Sequence, residues 1–294
     1  DAPAPPTCLA GQDHTVEGDL MEGERRFRCF TKLSELGTGG FGVTYKVREI
    51  RTGRDFAMKE MKLAHGVMDD DVRAEIDFMF RMRHPRIIRY YGSFVRQETA
   101  GLITSRYMCV VMELGGRGSL CGLLEDGPGP HSLPLERTLA YTRDICQALH
   151  YLHTRRPTVL HRDLKPENIV LCESSVVPFG VAKLVDFGLA KLARTSGCST
   201  QAGTTAYMSP EKLAYQRYGP ADDMWAVGML VCDMATGQLA YDFHTSVSRH
   251  APRSKPLGMD RSLVNHRIRQ TSSRHKGLGV LVRALLAERP GARP

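Results

Sequence analysis

The chain has 294 residues, with 40 Lys and Arg against 32 Asp and Glu, a net charge of +8 and 42% hydrophobic residues. That length suits one large or two ordinary domains with a sizeable core, and no apolar run approaches the ~18–20 residues of a membrane span. Eight cysteines without a C-x-x-C pair argue against a zinc site or a disulfide frame, and for reduced thiols in an intracellular protein, cytoplasmic or nuclear.

Residues 1–26 open with six acids, no Lys or Arg before Arg25, and Pro3, Pro5 and Pro6, a composition that predicts a flexible leader. No secretory signal is present, and a first residue Asp1 is expected of a fragment. Gly37-Thr38-Gly39-Gly40-Phe41-Gly42 is a G-x-G-x-x-G. Such glycines let backbone approach phosphate without a Cβ clash, although dinucleotide-binding folds share the spacing. Here Val43 to Val47 follows, β-branched and aromatic, so a strand is predicted rather than the helix of a dinucleotide-binding unit. Phe56-Ala57-Met58-Lys59 reads as the next strand.

Residues 69–82 are predicted helical, with Val72, Ile76, Met79 and Phe80 at helical spacing and Asp69, Asp70 and Asp71 at the dipole-favoured N-terminus. Residues 87–94 and 107–113 read as strands, with a polar hairpin over 97–106. The Gly-rich stretch 114–119 reads as a link. Residues 135–153, with Leu139, Ile145, Ala148, Leu149 and Leu152, read as a long amphipathic helix. Pro178 and Gly180 predict a loop between short strands over 171–183. Residues 249–276 hold eight Lys and Arg against Asp260 alone. This run could meet nucleic acid, acidic lipid or an acidic docking segment. Without interleaved aromatics, nucleic acid is disfavoured and a solvated, partly disordered loop is the preferred reading.

Between these elements lie His161-Arg162-Asp163-Leu164-Lys165-Pro166-Glu167-Asn168, then Asp186-Phe187-Gly188, Gly203-Thr204 through Ser209-Pro210-Glu211, Asp223-Met224-Trp225, and Arg293-Pro294. Together with the glycine motif and Phe56–Lys59, these separated motifs in this order, from about Phe27 to Pro294, resemble the eukaryotic protein kinase family of serine/threonine type. The resemblance implies an α+β, two-lobed fold: a β-rich small lobe with one regulatory helix over 27–113, a hinge at 114–119, and a mainly helical large lobe over 120–294 that stops before the family's last helix.

It also implies roles. Asp163 would orient a hydroxyl nucleophile and Lys165 neutralise the migrating phosphoryl group, with Asn168 and Asp186 holding Mg2+, or Mn2+, against the phosphates of ATP. Lys59 would grip the α- and β-phosphates, partnered by Glu75, with Asp77 as competitor. Gly37 to Gly42, Thr44, Ala57, Met112 as gatekeeper, the Glu113 carbonyl, the Gly115 amide, Ser119 and Val170 would line the nucleotide site. Thr44 departs from the family's valine and brings a hydroxyl toward an apolar ring.

Thr204 would bond to the catalytic aspartate and lysine. Lys165 and Thr204 point to protein Ser/Thr hydroxyls as substrate. Arg162 before Asp163 implies control by activation-loop phosphorylation at Thr200, with Ser199 and Ser196 as substitutes and an upstream kinase as activator. Cys198 reads as a redox switch or, preferred, an ordinary exposed thiol. Glu211 and Arg293 would form a buried ion pair, and Asp223 would belong to the buried central helix. The rival readings are a pseudokinase acting as an interaction module and a small-molecule kinase on the same fold.

Overall fold

The computed structural model describes residues 15–19, 27–39, 42–63, 78–100, 103–126, 131–187, 202–214, 219–240 and 260–294. They divide into two compact units. The first takes the described residues up to Leu63 together with Tyr90–Leu114. The second takes residues 78–89 and the described residues from Gly115 onward.

The first unit is one antiparallel sheet. Its strands are β1 (Thr15–Asp19), β2 (Phe27–Gly39), β3 (Gly42–Glu49), β4 (Asp55–Lys62), β5 (Tyr90–Ala100) and β6 (Ile103–Met112), in the order β1-β2-β3-β4-β6-β5. The end strands β1 and β5 also touch, so the sheet curls round on itself. Alternation along β4 sends Phe56 and Met58 to the inner face, where they pack with Phe30, Val47, Phe94, Cys109 and Val111. The Phe30 and Phe94 rings stack at 6.5 Å and Phe56 meets Phe30 edge-on. Burial pushes the Cys109 thiol up to about 12. Ala57 and Lys59, one residue out of phase, take the opposite face, and they too are buried.

One expectation is corrected here. Residues 15–19 are strand β1 rather than flexible leader, with Val16 registered on Phe30 and the backbone groups taken up by β2. The polar hairpin expected over 97–106 is the paired far end of β5 and β6. The ladder continues through Arg96↔Tyr107, Glu98↔Ser105 and Thr99↔Thr104 to Ala100↔Ile103, held by an Arg96 guanidinium over the Tyr107 ring and a Thr99–Thr104 hydroxyl pair. Polar residues suffice because this end of the hairpin is largely exposed.

The second unit is built round two long helices. Its helices are α1 (Leu120–Glu125), α2 (Leu135–His153), α3 (Pro210–Leu213), α4 (Pro220–Thr236), α5 (Arg261–Arg274) and α6 (Lys276–Leu285), with a two-stranded ribbon β7 (Ile169–Cys172) and β8 (Val181–Leu184). The loop expected over 171–183 is the connection of this ribbon. On α2 the buried stripe is Thr138, Tyr141, Thr142, Ile145, Ala148, Leu149 and Leu152. Leu139 falls one residue off that stripe and is exposed. Helix α4 starts on Pro220, is buried from Trp225 to its end, and stops at Gly237 in the left-handed conformation, where a Cβ would strike the backbone of His131 and Ser132.

The basic run is corrected for its described part. Residues 261–274 are helix α5, capped by Asp260, which accepts from the amides of Ser262 and Leu263. Val264, Ile268 and Thr271 bury one face, and Arg267 among them is fully buried on Asp233. Helical spacing of the apolar residues wins over net charge. Residues 78–81 are helical, whereas Glu75 and Asp77 lie outside the described residues. No described helix is long and apolar enough to cross a membrane. Cys109, Cys121, Cys146, Cys172 and Cys232 are free thiols.

Candidate active site

On the first unit, the glycine motif straddles the β2–β3 hairpin. Gly37 lies opposite Thr44, Thr38 opposite Val43 and Gly39 opposite Gly42, while Gly40 and Phe41 lie outside the described residues. Gly42 has φ 133° and a Cβ there would drive into the Glu60 carbonyl, so the chain itself requires glycine. Gly37 and Gly39 have nothing within 4 Å of a built Cβ. Among the described residues no internal contact requires their lack of a side chain.

Pairing Thr44↔Lys59, Ala57↔Met112 and Lys59↔Val110 puts Thr44, Ala57, Lys59 and Met112 on one face of the sheet. Lys59 is only 6% exposed. The neighbouring Glu60 points to the other face, where Lys32 (2.8 Å) and Arg96 (3.5 Å) neutralise it. Strand alternation thus keeps the two acid–base systems apart.

On the second unit, Gly115 lies so near β7 that a Cβ would enter Val170 Cγ1. Ser119 bridges to Val170, but its hydroxyl is used as the N-cap of α1, accepting from the Gly122 amide at 3.1 Å. Glu113, on the first unit, is half-buried just after β6.

The loop from His161 to Asn168 holds the densest polar geometry. Asn168 Nδ2 donates to the Asp163 carbonyl at 2.7 Å and to Asp163 Oδ2 at 3.1 Å. Lys165 Nζ lies 3.1 Å from the same Oδ2. The other oxygen, Asp163 Oδ1, is buried without a hydrogen-bond partner. Buried polar atoms are seldom left so, and an unmatched acceptor marks a place prepared for a donor. The Asn168 carbonyl accepts from the Val185 amide at 3.1 Å, which ties the loop to the segment carrying Asp186.

Arg162 (φ 71°) and Asp186 (φ 61°) are the non-glycine residues of the described chain with positive φ. Each costs about 1–2 kcal/mol, and such strain persists where surrounding structure over-determines it. For Arg162 the restraint comes from α4. Asp223 Oδ2 accepts from the His161 amide (2.9 Å) and Oδ1 from the Arg162 amide (3.1 Å), and His153 Nε2 meets Oδ2 at 2.8 Å. Burial alone would push the Asp223 carboxyl up. The hydrogen bonds from His153 and His161 outweigh it and hold it below the usual range. Burial pushes the His161 imidazole down, against the pull of Asp223, Asp163 and Asp186.

Glu211 and Arg293 are joined as a two-pronged buried ion pair. Thr204 lies in the 3₁₀ turn Ala202–Tyr207, and Thr200, Ser199, Ser196 and Cys198 lie outside the described residues.

Several residues that sequence reading passed over join this network. Ser209 donates to Asp222 at 2.5 Å and caps α3. Lys212 reaches Asp222 at 3.3 Å and the Arg162 carbonyl. Tyr207 donates to Asp233 at 2.7 Å. Burial pushes the Asp233 carboxyl up to about 7 against the charge of Arg267. The one signal for them in the sequence is local: Ser-Pro-Glu is a helix-start pattern, and Asp222-Asp223 follows Pro220 at another.

The protein kinase domain family matches residues 30–294, and the chain belongs to that family. It is 36% identical over 69% of its length to serine/threonine-protein kinase TIO of Arabidopsis thaliana, covering 14% of that protein. It is 33% identical over 71% of its length to serine/threonine-protein kinase sid1 of Schizosaccharomyces pombe, covering 41% of it. Human mitogen-activated protein kinase kinase kinase 6 is 32% identical over 80% of the chain, which covers 17% of it. The chain therefore spans less than half the length of these relatives. The α+β fold of a β-rich unit and a mainly helical unit is the one expected of the family.

Proposed function

We propose that this chain transfers the γ-phosphate of ATP to serine and threonine hydroxyls of protein substrates. The observation that carries the reading is the Asp163 carboxylate, with Oδ2 held by Asn168 and Lys165 and Oδ1 buried and unmatched. A substrate hydroxyl donating to Oδ1 would complete that atom's bonding and be aimed for in-line attack. Lys165, already beside Asp163, would offset charge on the migrating phosphoryl group. Catalysis of this kind is positioning and charge neutralisation, not covalent chemistry.

On the first unit, Lys59 and the bare backbone of Gly37 and Gly39 would hold phosphates, with Thr44, Ala57 and Met112 against the base. Glu113, Gly115, Ser119 and Val170 are the further nucleotide contacts we assign. The names of the relatives support Ser/Thr specificity.

The donor set fits a divalent cation. Asn168, whose side-chain Nδ2 is committed to Asp163, would offer its side-chain Oδ1, and Asp186 would supply a hard carboxylate. Mg2+ is a cation that takes one or two protein ligands plus substrate phosphates. When bound, such a cation neutralises phosphate charge.

Arg162 before Asp163 supports regulation by an upstream kinase acting at Thr200, with Ser199 in reserve. That activity and the free thiols among the described cysteines support an intracellular setting.

The test is phosphate transfer from labelled Mg-ATP to a mixed Ser/Thr/Tyr peptide pool, beside Asp163→Asn. Label on Ser or Thr that falls by about 10²–10⁴ in the variant is expected. ATP binding without any transfer, also after treatment with an activating kinase, would replace this reading with that of a pseudokinase.

A further inference from the structure

Three consecutive peptide groups lead into Asp163, and each is held by a side chain from outside the loop. The His161 amide is held by Asp223 Oδ2 and the Arg162 amide by Asp223 Oδ1. The third peptide, joining Arg162 to Asp163, has its carbonyl held by Lys212 Nζ. The geometry points to Lys212 as a positioning residue for Asp163: it sets the plane of the peptide that carries the catalytic carboxylate, and it does so from α3, in the segment that closes on Glu211.

Lys212 is itself aimed. Its Nζ lies 3.3 Å from Asp222 Oδ2, and its amide donates to Ser209 Oγ at 3.3 Å. Ser209 in turn donates to Asp222 Oδ1. Asp222 and Asp223 are neighbours at the start of α4, so one short stretch of helix holds the loop twice, directly through Asp223 and through Lys212 for Asp222. A left-handed residue is the place where such a double hold is needed. Arg162 could relax its φ of 71° by rotating the peptide on either side, and each side is blocked by a different charged group. Lys212, Asp222, Arg162 and Asp163 also line one small pocket beside Tyr207 and Met208.

A consequence is that the seating of residues 209–213 is felt at Asp163. Whatever shifts α3 moves the carbonyl clamp with it.

This inference rests on the kinase reading, and the test separates the two. Wild type, Lys212→Met and Lys212→Arg are compared in steady-state phosphate transfer, with amide hydrogen exchange of residues 160–164 measured on the same full chains. Lys212→Met should lower kcat roughly 10- to 100-fold, as a displaced catalytic group does, with KM for ATP within about twofold. Exchange over 160–164 should quicken by roughly tenfold while α4 stays protected. Lys212→Arg, which still donates to a carbonyl and a carboxylate, should recover most of the loss. If Lys212→Met fails to fold, Asp222→Asn keeps a Ser209 partner, removes the ion pair that aims Lys212, and should show the same exchange signature. Unchanged exchange, or a kcat within about twofold of wild type, overturns the proposal. Wild type without turnover but with the exchange signature in the variant overturns the kinase reading and leaves the clamp standing.

Discussion

Arg293 meets Glu211 fork to fork, Nη1 to Oε1 at 2.5 Å and Nη2 to Oε2 at 3.0 Å, across 82 residues of sequence. Its remaining donors go to the carbonyls of Ala287 (2.8 Å), Ala221 (3.0 Å) and Glu288 (3.2 Å). All five guanidinium donors are thus used inside one unit. Replacing Arg293 by Met leaves Glu211 and three carbonyls unpaired. The expected loss is about 3–5 kcal/mol, read from urea unfolding of the full chain.

The same pair has a pH signature. Burial would push the Glu211 carboxyl up, but the Arg293 hydrogen bonds prevail and hold it below the usual range. A depressed carboxylate stabilises the fold above its unfolded pKa of about 4.3 and loses that contribution as pH falls through the folded value. The stability gap between wild type and Arg293→Met should therefore shrink as pH is lowered below about 4. A gap constant from pH 7 to 3 would show that the charge of Glu211 is not what Arg293 stabilises.

Arg267→Met should show a deficit of the same sign in a higher pH range. Without the guanidinium, the fully buried Asp233 has to take up a proton to remain inside. The native state then binds a proton that the unfolded state lacks, so stability falls as pH rises. Wild-type Asp233 is pushed up to about 7, so the deficit of the variant should widen above that pH by about 1.4 kcal/mol per unit. Adding Asp233→Leu should abolish the slope.

Gly115→Ala tests the approach of the link to β7. The new Cβ enters Val170 Cγ1, and overpacking of this kind costs about 1–3 kcal/mol. Val170→Ala in that background should recover most of it, a coupling that a double-mutant cycle measures.

Thr44 shares a sheet face with Lys59 and has a hydroxyl where an apolar base is proposed to lie. Burying an unpaired hydroxyl costs about 0.5–2 kcal/mol, so Thr44→Val should lower KM for ATP by about threefold or more. An unchanged KM would place the base elsewhere.

Much of this architecture could be read from the chain, for identifiable reasons. Lys59, Asp163, Asn168, Asp186, Glu211 and Arg293 sit in motifs whose spacing carries their chemistry. Helix α2 could be delimited to the residue because its stripe has helical period and Pro134 precedes it. What escaped reading is of two kinds. Strand β1 and helix α5 lie where composition dominates, and a net-charge count cannot tell the capping Asp260 or the buried Arg267 from solvated charges. Lys212, Asp222 and Tyr207 escaped because their partners lie far away in sequence, and no local pattern records which carbonyl a lysine will reach.

Arg293 also lies over the ring of Trp225, 4.9 Å from its centroid, and Trp225 is the chain's single tryptophan. The tryptophan fluorescence of the protein, excited to the red of the tyrosine absorption, is therefore the emission of one fully buried indole roofed by one cation. It is a built-in gauge with a single address, and any change in its colour or quenching reports on the ground where α4 and the Glu211–Arg293 pair meet, with no label attached.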